Sequence, residues 1–348
     1  MIEFQGWGLP LQYSGVQEEH HAVRTAAGLF DVSWLGRIEV IGPAATPLLD
    51  KTFTRNLTKF QEGTAAYGLF CNEGGFIIDD SLLLNVSRPE SGIRYIICTN
   101  ARNTEKVLSW LRRNAGPDAV ISDLSGSTYQ LSLQGPRADS ILERLCGGHF
   151  KRIKHHHIRK VTIANTAVIV SRTGYTGECG YELIMPAASA EALWKAVIDA
   201  GKDFGIAPCG IGSRDILRLE MGYVMYGNDI DETHTPLEAG LDAFVDLKKE
   251  FIGRDALINQ KTSGVKYRLT GFMLAEKVVP KSGSSIFSEN REIGFVTSAG
   301  YSPSLFKTIG LGYVLSRYAQ TGQEIEIEAK DREIAARVVE RPFYRRKT

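Results

Sequence analysis

Residues 72–80 read NEGGFIIDD and run straight into SLLLNV, and this stretch restricts the possible folds more than any other. Turn residues come first, then the apolar pair Ile77 and Ile78, then two adjacent carboxylates, Asp79 and Asp80. The pair Gly74 and Gly75 permits a tight turn and a close backbone approach to a flat ligand. A strand is expected directly after the acids. Carboxylates at the mouth of an apolar strand are costly to half-bury. Two readings of the stretch stand side by side: a solvated strand end, or acids kept for chemistry.

The chain around it has 348 residues, enough for two or three domains and a sizeable core. Its 43% apolar and 23% charged content is that of a folded globular protein, not a disordered one. A net charge of +1 supplies no basic field for nucleic acid. No apolar run approaches the roughly 20 residues that span a bilayer. The N-terminal residues MIEFQGWGLPLQY lack the basic and apolar regions of a secretory signal. Five scattered cysteines without a CxxC argue for reduced thiols rather than a disulfide framework or a zinc site. A cytoplasmic protein without membrane, nucleic-acid or metal partners is expected.

Strand and helix patterns interleave along the first two thirds. Residues 17–30 read as a helix, and residues 35–42 (LGRIEVIG) as a strand alternating through Ile38 and Val40. YIICTN, residues 95–100, reads as a buried strand, and a helix follows with Asn103 or Thr104 as N-cap. Residues 130–136 (QLSLQGP) form a strand stopped by Gly-Pro, and residues 163–173 a strand feeding a glycine-rich turn. A helix over 190–200 buries Leu193, Trp194, Val197 and Ile198, and Ser213 caps the helix that begins RDILRLE. The mixture predicts an α+β fold. From residue 263 onward only short alternating strands remain, with Ile325 and Ile327 on one face of EIEIEA. A separate all-β module is expected there.

Three further stretches bear on chemistry. Residues 171–183 (SRTGYTGECGYEL) set Gly174, Gly177 and Gly180 around Tyr175, Glu178 and Glu182. That spacing suits a tight loop offering an aromatic face and carboxylates, or else a structural hairpin. No Gly-Lys-Ser/Thr follows, which excludes a phosphate cradle. Residues 210–241 place Arg214 and Arg218 on one helix face, and a forked guanidinium is a good anchor for a carboxylate-bearing ligand. The competing role is an internal salt bridge to Asp215 or Glu220. This stretch lacks the third glycine of a dinucleotide fingerprint and the Gly and Glu of a calcium loop. Residues 151–160 (KRIKHHHIRK) are a basic cluster, either a solvated face or a docking patch for an acidic partner. On a strand, His155 and His157 would share a face. Cys71, with no partner base in view, reads as a structural thiol.

Taken in order, GWGLPLQY (6–13), GLFDVS (28–33), NEGGFIIDD, LQGP (133–136), SRTGYTGECGYEL, RDILRLE (214–220), TPLEAGL (235–241), VTSAGYSPSL (296–305) and PFY (342–344) resemble the T-protein family of the glycine cleavage system. The resemblance covers nearly the whole chain. It implies a three-domain cloverleaf with a ferredoxin-like folate-binding lobe. Residues 1–262 would form two intertwined α+β subdomains around a central hole, and residues 263–348 a distorted β-barrel. It implies aminomethyl transfer from a lipoylated carrier (H) protein to tetrahydrofolate, with release of ammonia. Asp80 matches the catalytic carboxylate, and Tyr67, Asn100, Tyr175, Glu178, Glu182 and Arg214 match positions lining the folate pocket. No metal is implied. The basic cluster at Lys151, Arg152 and Lys154 is the expected carrier dock. Trp34-Leu35 stands where the family usually carries His-Met. Relatives of this fold also act as tetrahydrofolate-dependent demethylases of small N-, S- or O-methyl compounds, or as non-catalytic folate-binding modules.

Overall fold

The computed structural model describes residues 1–88, 92–148, 150 and 153–346. The chain divides into two compact units, one made of Met1–Cys71, Ile78–Arg214 and Lys248–Ile252, the other of Asn72–Ile77, Asp215–Leu247 and Gly253–Thr348.

The first unit is built on two sheets. One has five strands in the order Ala65–Cys71, Ile77–Asn85, Arg94–Thr99, Gly36–Ile41 and Val120–Asp123. The helix Thr104–Asn114 turns Val107, Leu108 and Leu111 toward it, at the spacing of one helical face. Those side chains join Ile38, Val40, Leu83 and Ile97 in a common core. The other sheet has six strands, in the order Ile158–Ile163, Thr166–Ser171, Gly180–Pro186, Thr128–Gln134, Ala27–Asp31 and Ile206–Cys209. Leu193 and Val197 of the helix Ala190–Gly201 are buried against it. Leu84 and Ile96 of the first sheet and Ile184 of the second meet in a further apolar cluster. Each burial of such a side chain contributes about 1.5–3 kcal/mol.

Three local expectations are corrected here. The helix expected over 17–30 is Val16–Thr25, and the apolar residues after it form the strand Ala27–Asp31. That strand lies between Thr128–Gln134, antiparallel, and Ile206–Cys209, parallel, so ladder bonds on both sides override the helix preference of its alanine and leucine. The single strand expected over 163–173 is a hairpin. Ala164 and Asn165 take φ values of 47° and 61°, which is the geometry of a two-residue turn matched to strand twist. Ser213 lies inside the helix Ile211–Glu220 rather than at its cap, and its hydroxyl donates to Glu19 Oε2 at 3.1 Å.

In the second unit, six strands close into a barrel in the order Tyr267–Leu274, Lys307–Leu315, Arg291–Ser302, Ser285–Ser288, Glu324–Ala329 and Arg332–Val339. Phe272, Ile286, Val296, Val314, Ile325 and Ile327 fill it. Ile325 and Ile327 point inward together because side chains on a strand alternate between faces. Register shifts after Ile286 and Val296 bend the wall, as bulges do in small barrels. The fold is therefore the expected α+β with a distorted C-terminal barrel. Among the described residues, no helix is long and apolar enough to cross a membrane.

Candidate active site

The strand Ile77–Asn85 begins before the paired acids, so Asp79 and Asp80 sit within it and face opposite ways. Asp79 is completely buried (0% exposed), whereas Asp80 is half-buried. The neighbouring strand Arg94–Thr99 delivers Asn100 beside both acids. The Asn100 amide nitrogen lies 2.9 Å from Asp79 Oδ1, 2.8 Å from Asp80 Oδ1 and 3.1 Å from the Asp80 carbonyl. Tyr67 Oη donates to Asp80 Oδ2 at 2.9 Å. Both Asp80 oxygens are thus held by donors, and the carboxylate is fixed rather than free to rotate.

Asp79 accepts more bonds still. Asn103 Nδ2 donates to its Oδ1 at 2.7 Å, Ser81 Oγ to its Oδ2 at 2.6 Å, and the Asn100 backbone N–H to Oδ2 at 3.3 Å. Asn103 stands at the N-cap of the following helix, as expected, but its side chain makes no capping bond and serves Asp79 instead. Burial pushes the Asp79 carboxyl up to about 7, and the negative charge of Asp80 adds to the rise. The bonds from Ser81, Asn103 and Asn100 act in the opposite direction. Burial, followed by the Asp80 charge, holds the Tyr67 phenol well above its ordinary range, so it remains a neutral donor.

The glycine-rich loop closes over Gln134, a fully buried side chain supplied by the LQGP stretch. A Cβ on Gly174 would sit 2.1 Å from Gln134 Oε1, and one on Gly180 would sit 2.2 Å from it. A larger residue at either position would push the Gln134 amide out of its place. Thr176 Oγ1 donates to Gln134 Oε1 at 2.9 Å, and Gln134 Nε2 donates to the Thr173 carbonyl at 3.2 Å. The loop so fixed carries Tyr175, and the Arg214 guanidinium lies 4.7 Å from its ring centre. Glu182, also buried, accepts from Thr173 Oγ1 at 2.6 Å and acts electrostatically on Arg214. Tyr175 in turn acts on Tyr67, which connects this group to Asp80.

Arg214 is the least satisfied member. It is 8% exposed, and its Nη1 is buried without a hydrogen-bond partner. Burial lowers its pKa. It lines a concavity with Tyr13, Phe30, Asp31 and Trp34. Trp34 itself packs edge-on against Phe4, with ring centres 5.2 Å apart. Glu178 has a different environment. Its carboxylate forms a buried ion pair with Arg24 at 2.9 Å, which ties the loop to the helix Val16–Thr25.

Of the seven anticipated residues, Tyr67, Asn100 and Asp80 form one hydrogen-bonded group and Tyr175, Glu182 and Arg214 a second, with Glu178 in a separate anchoring pair. Asp79, Asn103 and Gln134 were missed. A signal for Asp79 existed, because strand alternation lets only one of two adjacent acids face outward. Elsewhere, the Asn72 side chain accepts from the N–H groups of Gly74 and Phe76, and a Cβ on Gly75 would meet Leu257 at 2.9 Å. Both glycines thus take part in the turn, and Gly75 also packs against Leu257. His155 and His156 lie in a turn before the strand Ile158–Ile163, so the shared strand face expected for His155 and His157 does not form. Lys154 is exposed, and Lys151 and Arg152 lie outside the described residues. Cys71 is buried and its thiol is pushed up by desolvation, as a structural thiol would be. Among the described residues, no three His, Cys, Asp or Glu side chains converge as metal ligands.

The family profile of the GCVT N-terminal domain matches residues 1–249, and that of the glycine cleavage T-protein C-terminal barrel domain matches residues 268–345. The chain belongs to the glycine cleavage T-protein family. A T-protein relative from Caldanaerobacter subterraneus, named aminomethyltransferase, is 42% identical, covering 99% of this chain and 92% of its own. The aminomethyltransferase of Desulforamulus reducens is 39% identical, covering 99% of this chain and 94% of its own. The crystal structure of glycine cleavage system aminomethyltransferase T from Bartonella henselae superimposes with a TM-score of 0.91 at 30% identity, covering 99% of this chain and 94% of that one.

Proposed function

We propose that the chain is the aminomethyltransferase of the glycine cleavage system. It moves the methylene carbon from an aminomethyl-dihydrolipoyl carrier protein to tetrahydrofolate, releasing ammonia and giving 5,10-methylenetetrahydrofolate. The observation that carries this reading is the half-buried Asp80 carboxylate, gripped on both oxygens by Tyr67 and Asn100.

The residues fit tetrahydrofolate. Arg214 Nη1 has no acceptor within the protein, the Tyr175 ring offers a flat face, and Glu182 suits the donor edge of a heterocycle. When bound, tetrahydrofolate supplies the nucleophilic nitrogen and accepts the one-carbon unit. Tyr67, Asn100, Tyr175, Glu182 and Arg214 hold and orient it, and Glu178 acts by anchoring the loop to Arg24. Asp80 stabilises the positive charge that develops on the one-carbon unit as ammonia leaves. Because Tyr67 and Asn100 fix its position beforehand, no reorganisation is needed at the moment of reaction. The same carboxylate takes the proton that must leave the attacking nitrogen. Residues 1–262 carry this chemistry and residues 263–348 form a separate barrel domain. The basic stretch including Lys151, Arg152 and Lys154 receives the lipoylated carrier in the cytoplasm.

The test is ammonia release from purified aminomethylated carrier protein, with and without tetrahydrofolate. Release that depends on folate and yields the methylene product is the expected result. Tetrahydrofolate binding without turnover would overturn the reading in favour of a demethylase with a free small-molecule donor.

A further inference from the structure

Asp79 takes part in no step above, yet its hydrogen bonds lead to Asp80. The groups bearing on it are Tyr67 from the strand Ala65–Cys71, Asp80 and Ser81 from its own strand, and Asn100 and Asn103 from the segment before the helix Thr104–Asn114. Ser81, Asn103, and the side-chain amide and backbone N–H of Asn100 are all placed to donate to it. A carboxylate is an acceptor only, so this environment is built for the ionised form. A protonated Asp79 has to donate, which requires the Ser81 hydroxyl to turn or a side-chain amide to flip so that an oxygen faces it. The Asn100 amide nitrogen then loses strength in one of its bonds to the acid pair.

We infer that Asp79 is a positioning residue for the transfer reaction: its ionised carboxylate sets the orientation of the Asn100 amide, and through Asn100 the hold on Asp80. This rests on the aminomethyl-transfer reading. Since burial and the Asp80 charge raise the Asp79 pKa toward neutrality, the productive arrangement is lost as pH falls through that region. Turnover therefore has an acid limb near neutral pH that belongs to Asp79.

The experiment is the pH dependence of kcat at saturating tetrahydrofolate for the full chain, Asp79→Asn and Ser81→Ala. In Asp79→Asn, turnover above the limb falls by about 10–100-fold, as for a misplaced catalytic group, and the limb disappears. Ser81→Ala removes a bond that favours the ionised form, so its limb moves upward by roughly half a pH unit or more. A merely structural role would lower the melting temperature and leave the limb in place. A limb retained in Asp79→Asn, or unmoved in Ser81→Ala, overturns the inference. Carbon-13 NMR of the aspartate carboxyl groups provides a readout without activity. The expected result is a buried aspartate that titrates near neutrality, disappears in Asp79→Asn, and whose loss shifts the Asp80 signal. An Asp80 signal unaffected by Asp79→Asn overturns it. If the wild-type chain gives no turnover at any pH, the functional reading fails, and the carboxyl titration still decides whether the two acids are linked.

Discussion

Arg214 and Arg218 stand one turn apart on the helix Ile211–Glu220, and both are buried, but their surroundings are opposite. Arg218, in the second unit, has every guanidinium nitrogen bonded. Nε donates to Asp215 at 2.7 Å, Nη1 to Asp229 at 2.6 Å and to the Tyr223 carbonyl at 2.9 Å, and Nη2 to Ser298 at 2.9 Å. Arg214, in the first unit, lies over Tyr175 with Nη1 unpartnered. Burying a charge costs several kcal/mol unless hydrogen bonds and counter-charge offset the loss of water. The protein supplies that offset at Arg218 and withholds it at Arg214. The salt bridge considered for this pair from sequence belongs to Arg218, whose closest carboxylates include Asp215. The lesson is that scaffold and site are separated by polar satisfaction, not by residue type or depth.

The contrast can be broken most forcefully at Arg218. Arg218→Met leaves Asp229 buried beside a neutral side chain and is expected to destabilise the fold by about 3–5 kcal/mol. A shift of the urea midpoint reads this. A stability change under about 1 kcal/mol would show that the pair is not structural.

The next effect concerns Asp79. Its folded-state pKa is raised, so between the unfolded value and about 7 the folded state binds the extra proton. Stability relative to Asp79→Asn must then fall as pH rises from about 4 to about 7, by an amount on the order of a few kcal/mol. Paired unfolding curves across that range check the sign. A difference that grows with pH would contradict the buried, desolvated state of this acid.

Arg214→Met sharpens the comparison from the other side. Loss of one charged bond to a ligand is worth about 1.5–3 kcal/mol, so tetrahydrofolate should bind roughly 10–100-fold more weakly. Stability without folate should change little, because no ion pair is broken. If Arg214→Met instead destabilises the chain as Arg218→Met does, the two arginines have the same role and the distinction collapses.

Much of this was legible in the sequence. The alternation in EIEIEA and the loss of helical pattern near residue 263 marked the barrel, whose first strand is Tyr267–Leu274. The NEGGFIIDD stretch pointed to the acid pair, the family resemblance singled out Asp80 within it, and the glycine spacing pointed to a tight loop. The rest depends on partners far away in the chain. Gly174 and Gly180 lie against the side chain of Gln134, about 40 residues earlier, and no local pattern shows that contact. The strand Ala27–Asp31 exists because two distant strands pair with it. Asn103 is the helix N-cap that the sequence suggests, and only the fold reveals the buried carboxylate its side chain serves. The difference between Arg214 and Arg218 was hidden for the same reason: both carry the same side chain on the same helix, and Asp229 and Ser298 are what distinguish them.

The central claim is that Asp80 acts by its charge on the reacting carbon and nitrogen, and the measurement that tests it most directly is the separation of turnover from folate affinity in Asp80→Asn. In this variant the amide oxygen can still accept from Asn100 while the Tyr67 hydroxyl turns to accept from the amide nitrogen, so the affinity for tetrahydrofolate should stay within a few-fold. Turnover at saturation should fall by about 100-fold or more, since the charge is needed chiefly in the transition state. Loss of folate binding with turnover at saturation intact would make Asp80 a binding group and contradict the account.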